Sequence, residues 1–341
     1  MDDALITGLQ RLLADRATAD AVRAIEEGAD PLPLWQAAES LGYADAFVAE
    51  AQGGIGLPWS DAFAIGQALG RVAFPLPLLE TALARALLAD AGVAAPPGPI
   101  VVAEGFGPIP GLRVAGHLLW RDGGQWRLLP ARALRLRPGD QRPLVSGALE
   151  GVLEGVLEGV DAGAERARFA APQPADVLLA PLQAAEMAGS LAAVLELTLA
   201  YAADRRQFGR AIGSFQALQQ EIAVLAEQVA LATMAARLGR ADAVRVGRAD
   251  AACVGRADAA CAASAKLVAA DAAARALAIA HAVHGAIGIT EEYALGLHAR
   301  RLHEWRVAAP TAETCARRLG ATLLQGEGTL LDFVRAALPS A

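Results

Sequence analysis

Apolar residues recur every three to four positions over long stretches at both ends of the chain and gather into short dense runs in its middle. Over 1–95 the pattern is helical, with Leu5, Leu9, Leu12 and Leu13 on one face. Pro31 and Pro33 interrupt it, and Pro33 is placed to open a helix over 34–41. Gly53-Gly54-Ile55-Gly56-Leu57-Pro58 reads as a turn, after which Ser60 is the expected N-cap of an apolar-periodic run to Leu69. Pro75 and Pro77 stop that run, and a further helix is predicted over 81–88.

Over 96–175 glycine and proline rise and the apolar runs shorten, to 100–103, 112–115, 126–129 and 134–136. Asp122-Gly123-Gly124 stands between two such runs, a hairpin signal. This predicts a small β-rich domain. Within it, 150–160 repeats Glu-Gly-Val-Leu with a period of four, which reads as a loop expansion and carries no evident chemistry.

Helical spacing returns over 176–341, with long runs at 176–206, 215–239 and 249–283, then shorter ones at 291–305 and 313–337. Helices of this length predict a bundle with antiparallel neighbours. The segment 239–259 carries Gly-Arg-Ala-Asp three times and reads as a lengthened helix or an elbow. The expected fold is therefore mainly α: a helical N-terminal domain (1–95), a reduced β-domain (96–175) and a C-terminal four-helix bundle (176–341).

Composition narrows the function classes. With 55% hydrophobic and 20% charged residues the chain has the means to build a core. A formal net charge of -7 argues against a general nucleic-acid binder. Alanine is roughly a quarter of the residues, which favours helix. Lys266 is the single lysine. Cys253, Cys261 and Cys315 form no CxxC pair or disulfide framework, and the first two read as small core residues. No secretory pattern is evident, and no unbroken apolar run reaches the ~18 residues of a membrane span. The expectation is a cytoplasmic protein that binds neither membrane nor nucleic acid. His281 and His284 have a spacing able to hold a metal but lack an Asp, Glu or Cys at a fixed offset, so a structural role is expected and no metal. Glu291 and Glu292 are placed to cap a helix N-terminus rather than to act as bases.

Three motifs carry a resemblance. Tyr201-Ala-Ala-Asp-Arg-Arg-Gln-Phe-Gly-Arg-Ala-Ile-Gly-Ser-Phe-Gln-Ala-Leu-Gln219 resembles the central motif of the acyl-CoA dehydrogenase superfamily. His284-Gly-Ala-Ile-Gly-Ile-Thr-Glu-Glu-Tyr293, followed by Arg300-Arg301, resembles its second C-terminal motif. Glu50-Ala-Gln-Gly-Gly-Ile-Gly56 resembles its N-terminal glycine turn, with Ala49 where the family has proline. The motifs fall in family order across nearly the whole chain. The resemblance implies a flavoenzyme in which Arg205 and Phe208 reach flavin adenine dinucleotide (FAD) held mainly by a neighbouring subunit. An arginine suits a pyrophosphate because its donors form a rigid fork. Gln216 and Gln219 follow at helical spacing, where a glutamine can pair with an adenine edge or stand exposed. Gly285, Ala286 and Gly288 form a small-residue turn whose backbone amides a phosphate can approach. A glutamine frequent in the family three residues before the first glycine is Ala282 here.

The family's reaction removes an α-proton from an acyl-CoA thioester with a carboxylate while the β-hydrogen leaves as hydride to the flavin. Ungapped counting from Arg300-Arg301 places that carboxylate near Ala309, and the alternative family position near Leu179. Neither is acidic, although Asp176, Glu186, Glu304 and Glu313 lie close in sequence. The serine, threonine and tryptophan pattern that covers the flavin ring is also missing, and 101–111 contains no Ser or Thr. This asymmetry resembles one subunit of a two-gene heteromeric dehydrogenase, which implies a base-bearing homologous partner and an electron-transfer flavoprotein as acceptor. Heteromeric members often handle bulky thioesters such as steroid side chains. Open alternatives are a catalytically silent structural partner, a homomeric dehydrogenase with an atypically placed base, and a flavin-free or repurposed relative.

Overall fold

The computed structural model describes residues 3–105, 107–135, 164–239 and 256–325, with 147, 149, 152–153, 156–157, 329 and 331–332. The N-terminal part is helical: α1 (Asp3–Arg16), α2 (Ala19–Glu26), α3 (Leu32–Ser40), α4 (Ala62–Arg71) and α5 (Leu78–Asp90). Ser60 is not the cap of α4. It lies inside a tight turn, Trp59–Asp61, and the N–H of Ala62 donates to the Trp59 carbonyl. The turn's own backbone thus satisfies a donor that a capping side chain would otherwise take.

Four strands form the middle sheet. β1 (Ile100–Ala103) runs parallel to β2 (His117–Asp122), and β2 pairs antiparallel with β3 (Gln125–Pro130). The turn between β2 and β3 is Gly123-Gly124, with φ of 53° and 86°, the left-handed geometry that a two-residue hairpin needs and glycine supplies. Inside the four-residue repeat, β4 (Val152–Leu153) and β5 (Val156–Leu157) pair with each other. β6 (Ala167–Ala170) completes the order β1-β2-β3-β6. The run 112–115 is turn rather than strand, and Leu134 is not in a strand. Thr81 ties the sheet to α5: its hydroxyl donates to Pro77 O at 2.6 Å and accepts from Ile100 N at 2.9 Å.

The bundle is built on α6 (Ala175–Asp204), α7 (Gln216–Gly239), α8 (Arg256–His284), α9 (Leu295–Val307) and α10 (Ala312–Leu324). Most of the Gly-Arg-Ala-Asp repeat, and Cys253 with it, lies outside the described residues. Cys315 is buried, while Cys261 is only half-buried. By length and composition α6, α7 and the stretch Ala259–Ile289 are each long and apolar enough to cross a membrane. The absence of an unbroken apolar run does not exclude this, because alanine-rich helices with few charges stay apolar across a window. In α6, 94% of that apolar window is buried inside the protein, which is what the centre of a bundle requires.

Two devices lock α6 in place. It crosses α4 at glycines: a methyl on Gly70 would lie 1.9 Å from the Glu186 carbonyl oxygen, and one on Gly189 2.1 Å from that of Gln67. The second device joins the N-terminal helices to the bundle. Arg301 on α9, only 2% exposed, donates to Glu26 Oε1 on α2 at 2.9 Å and to Glu304 Oε2 at 2.5 Å. Arg300 donates to the other Glu26 oxygen at 2.9 Å. Arg23 adds donors to the carbonyls of Glu291 and Glu292, at 2.9 and 3.0 Å.

Removing Arg301 strands the buried Glu304 and leaves Glu26 with Arg300 alone. Arg301→Ala is expected to cost about 3–5 kcal/mol in urea unfolding. Gly189→Ala, an overpacking change against backbone, is expected to cost about 1–3 kcal/mol. A loss of under ~0.5 kcal/mol for Arg301→Ala contradicts the clamp.

Candidate functional site

The central motif folds into an elbow where α6 ends. The N–H of Arg205 donates to Tyr201 O at 2.9 Å, and its extended backbone turns the chain outward. Two short strands, β7 (Arg206–Gln207) and β8 (Arg210–Ala211), form a hairpin whose tip is Phe208-Gly209. Ile212 N donates to Arg205 O at 2.8 Å and closes it. Phe208 holds φ of 51°, a region that L-residues with bulky side chains rarely occupy, and its ring is 91% exposed. Phe215 meets the Phe208 edge at 6.1 Å, and the Arg210 guanidinium lies 4.1 Å over its ring. The Arg205 guanidinium is exposed and makes no hydrogen bond or ion pair with the described residues. Gln216 opens α7, exposed. Gln219 spends its amide N–H on Gly213 O at 2.9 Å.

The second motif sits beside the elbow. α8 ends at His284, and Gly285–Ile289 form one tight turn, entered through Gly285 at φ 61°. Gly285 and Ala286 are exposed and Gly288 is buried. A Cβ on Gly288 would meet His284 Cβ at 2.9 Å. His284 joins the motifs: its ring stacks on Tyr201 with centroids 4.6 Å apart. Burial holds its pKa below the ordinary imidazole value, so it is neutral near pH 7. Nδ1–H then donates to Ala280 O at 2.7 Å, and Nε2 accepts from Tyr293 Oη at 3.2 Å. His281 has a buried Nδ1 without a partner, and no metal-holding cluster exists among the described residues. Glu291 and Glu292 do not cap α9. Its cap position is Ala294, and their carbonyls serve Arg23 instead.

The expected base positions lie at the other end of the bundle. Leu179 is core. Ala309 lines a small cavity together with Glu80, Gln183 and the turn following β1. Its volume open to a water molecule's centre is about 10 Å³, enough for a single water. Gln183 donates to Ala309 O at 3.0 Å and accepts from Lys266, which also donates to Trp305 O. Glu104, in the turn that also carries Gly105 and Gly107, caps α6 by accepting from Ala175 N at 3.0 Å and pairs with Arg121. From Gln183 to Arg205 along α6 the separation is about 33 Å at 1.5 Å per residue.

The carboxylates near the expected positions have settled roles. Asp176 pairs with Arg318 at 2.5 Å, Glu304 with Arg301, and Glu313 stands exposed 3.8 Å from Arg317. Glu186 is buried with an unpartnered Oε2, and burial pushes its pKa well above the carboxylate range. Burial likewise pushes Glu80 up to about 7 and Lys266 down to about 7. Sequence reasoning passed over Glu80, Gln183 and Glu104. Only Lys266, alone of its kind in a helix of alanines, gave a signal.

The profile of the acyl-CoA dehydrogenase C-terminal domain matches residues 180–324. Acyl-CoA dehydrogenase IpdE2 of Mycolicibacterium smegmatis is 31% identical over 237 residues, covering 65% of this chain and 70% of the relative. IpdE2 of Mycobacterium tuberculosis is 32% identical over 322 residues, covering 86% and 87%. Among solved structures, the ChsE4-ChsE5 complex from Mycobacterium tuberculosis aligns with a TM-score of 0.76 at 22% identity, over 95% of this chain and 97% of that one. The FAD complex of PigA aligns with a TM-score of 0.71 at 17% identity, over 96% and 99%. At these identities the solved structures show a shared fold.

Phe208 has few contacts to lose and a backbone conformation that glycine adopts freely. In the isolated chain Phe208→Gly is expected to leave unfolding stability unchanged or raise it by up to about 1 kcal/mol. A drop of about 2 kcal/mol in urea unfolding places Phe208 in the fold rather than at a waiting surface.

Proposed function

Because this chain belongs to the acyl-CoA dehydrogenase family, sharing its fold and its C-terminal domain, we propose that it is one subunit of a heteromeric FAD-dependent acyl-CoA dehydrogenase and completes its partner's flavin site. The observation that carries this reading is the contrast between the two ends of α6. At one end Arg205, Phe208, Gln216, Gly285 and Ala286 are exposed, close together and uncommitted. At the other, about 33 Å away along the helix, the cavity at Ala309 is small and neither expected base position carries an acid.

The outward end fits a flavin dinucleotide. Arg205 offers a two-donor fork to a pyrophosphate, and Phe208 presents an uncovered ring face. The backbone amides at Gly285 and Ala286 are approachable, since a Cβ on Gly285 would meet nothing within 4 Å. FAD, when bound, supplies the hydride acceptor. This chain orients the cofactor's phosphates and excludes water at the elbow. The partner, a base-bearing homologue, removes the α-proton of the acyl-CoA, and an electron-transfer flavoprotein takes the electrons onward. At the inward end Glu104 is spent on the α6 N-terminus and Arg121.

One observation favours a second reading, a dehydrogenase with an atypically placed base: Glu80 lines the cavity beside Ala309. The small size of that cavity weighs against it.

Three outcomes are expected. The purified chain alone, desalted, retains well under one flavin per chain by 450 nm absorbance; near one per chain contradicts the heteromeric reading. In the assembled complex Arg205→Ala weakens FAD binding roughly 30-fold, about 2 kcal/mol for one charge-assisted contact. An unchanged dissociation constant removes Arg205 from the site. Amide variants of Glu80, Asp176, Glu186, Glu304 and Glu313, each assembled with the partner, keep most of their anaerobic flavin-reduction rate with acyl-CoA. A loss of several orders of magnitude in one of them, with flavin and thioester still bound, identifies a base in this chain.

A further inference from the structure

Four carboxylates and three cations meet where α2, α5, α6, α8 and α9 converge. They are Glu26, Glu80, Glu186 and Glu304, against Arg300, Arg301 and Lys266, and only Arg300 reaches appreciably toward solvent. Glu26 and Glu304 take guanidinium donors of Arg300 and Arg301, and Glu304 keeps one buried oxygen, Oε1, without a partner. Glu80, Glu186 and Lys266 remain. Lys266, fully buried, points its donors at two neutral oxygens, Gln183 Oε1 and Trp305 O, and at no carboxylate. One oxygen each of Glu80 and Glu186 is buried with no partner. The other titratable groups facing this cluster add no charge. His298 on α9 is hydrogen-bonded to Ser190, and burial next to Arg71 and Arg301 presses it down to about 4. Cys315 on α10, beside Lys266, is pushed up to about 11 by burial and stays a thiol. Arg71 is engaged by Glu196.

Charge balance then fixes the number of protons. With Glu26 and Glu304 paired against the two arginines, the cluster is neutral only when two protons are distributed over Glu80, Glu186 and Lys266. Any further loss leaves an uncompensated buried negative charge, which is expensive. We propose that Glu80, Glu186 and Lys266 share two protons near neutrality, and that this arrangement is a proton-operated latch between α5 and α6. When one of these protons leaves, a buried carboxylate is charged where no partner reaches its free oxygen, so α5 and α6 must part to admit water.

The direction of the pH effect follows. Glu80 holds its proton up to about 7 in the fold, against 4.5 as its ordinary value. Its stabilising contribution is complete below 4.5 and is lost as pH rises to about 7, lowering the folding equilibrium constant by about two orders of magnitude. Lys266 acts oppositely. Its folded value of about 7 lies below the ordinary 10.5, so its contribution is present above 10.5 and lost as pH falls to about 7. Together these groups make the chain least stable near neutrality.

The test uses the full chain, with urea unfolding and hydrogen–deuterium exchange at pH 5 and pH 8, corrected for intrinsic rates. Glutamine imitates the protonated carboxyl. Glu80→Gln and Glu186→Gln are expected to match the parent at pH 5 and to be at least tenfold more stable in equilibrium constant at pH 8. Exchange in peptides covering 78–90 and 175–190 should be correspondingly slower. Urea unfolding of the parent extended to pH 10 is expected to show a rise in stability above pH 8, which Lys266→Met removes. The latch is overturned if both glutamine variants track the parent at both pH values. Should a variant not fold, parent exchange in those peptides that is flat from pH 5 to pH 8 overturns it equally. Neither flavin nor acyl-CoA enters the measurement, so its outcome is independent of the flavin reading.

Discussion

Arg301 is the buried cation on which the N-terminal helices and the bundle are assembled together. Its guanidinium reaches Glu26 on α2 and Glu304 one turn along its own helix, with Arg300 closing the second oxygen of Glu26. A lysine cannot replace it, because a point charge does not span two carboxylates in fixed directions as a planar fork does. The clamp sets the course of α9, so that its C-terminal end passes over Lys266 and the following residue Ala309 meets Gln183. The small cavity at Ala309 thus lies where the two helical parts are joined. The glycine crossing of α4 and α6 adds a rigid constraint, since neither backbone can retreat without breaking helix hydrogen bonds.

Much of this architecture was legible in the sequence. The bundle helices are long, alanine-rich and periodic, so their existence and order could be read, and Gly123-Gly124 announced its hairpin. β6 was not legible, because Ala-Arg-Phe-Ala is short and weakly alternating, and its strand character comes from the free edge of β3. The elbow residues could be found because they are contiguous: Arg205, Phe208 and Gln216 share one motif. The closed pocket could not. Glu80, Glu104, Gln183, Lys266 and Ala309 come from distant parts of the chain, and an isolated carboxylate on a helix reads as a solvated one. Arg300 and Arg301 were visible as part of a motif, but their pairing with Glu26, some 270 residues away, was not.

The two ends of α6 differ in how far the fold itself uses their side chains. One end displays an arginine, an uncovered aromatic ring in a strained turn and a pair of approachable backbone amides, none of which the fold itself needs. The other end is filled by groups that serve the fold: Glu104 on a helix terminus, Gln183 on a carbonyl, and a lysine beneath. Exposed, strained, uncommitted groups persist when something outside the chain uses them. Space closed by committed groups has no such use. In the proposed heteromer one subunit therefore lends its elbow and receives nothing in return at its own pocket.

That asymmetry has a stoichiometry. The purified complex of this chain with its homologous partner, quantified for protein by amino-acid analysis and for FAD after acid release, is predicted to hold one flavin per pair of chains and to bind one acyl-CoA per flavin. Two flavins per pair, each reducible by acyl-CoA, contradict the account, because the pocket at Ala309 must then be a working site.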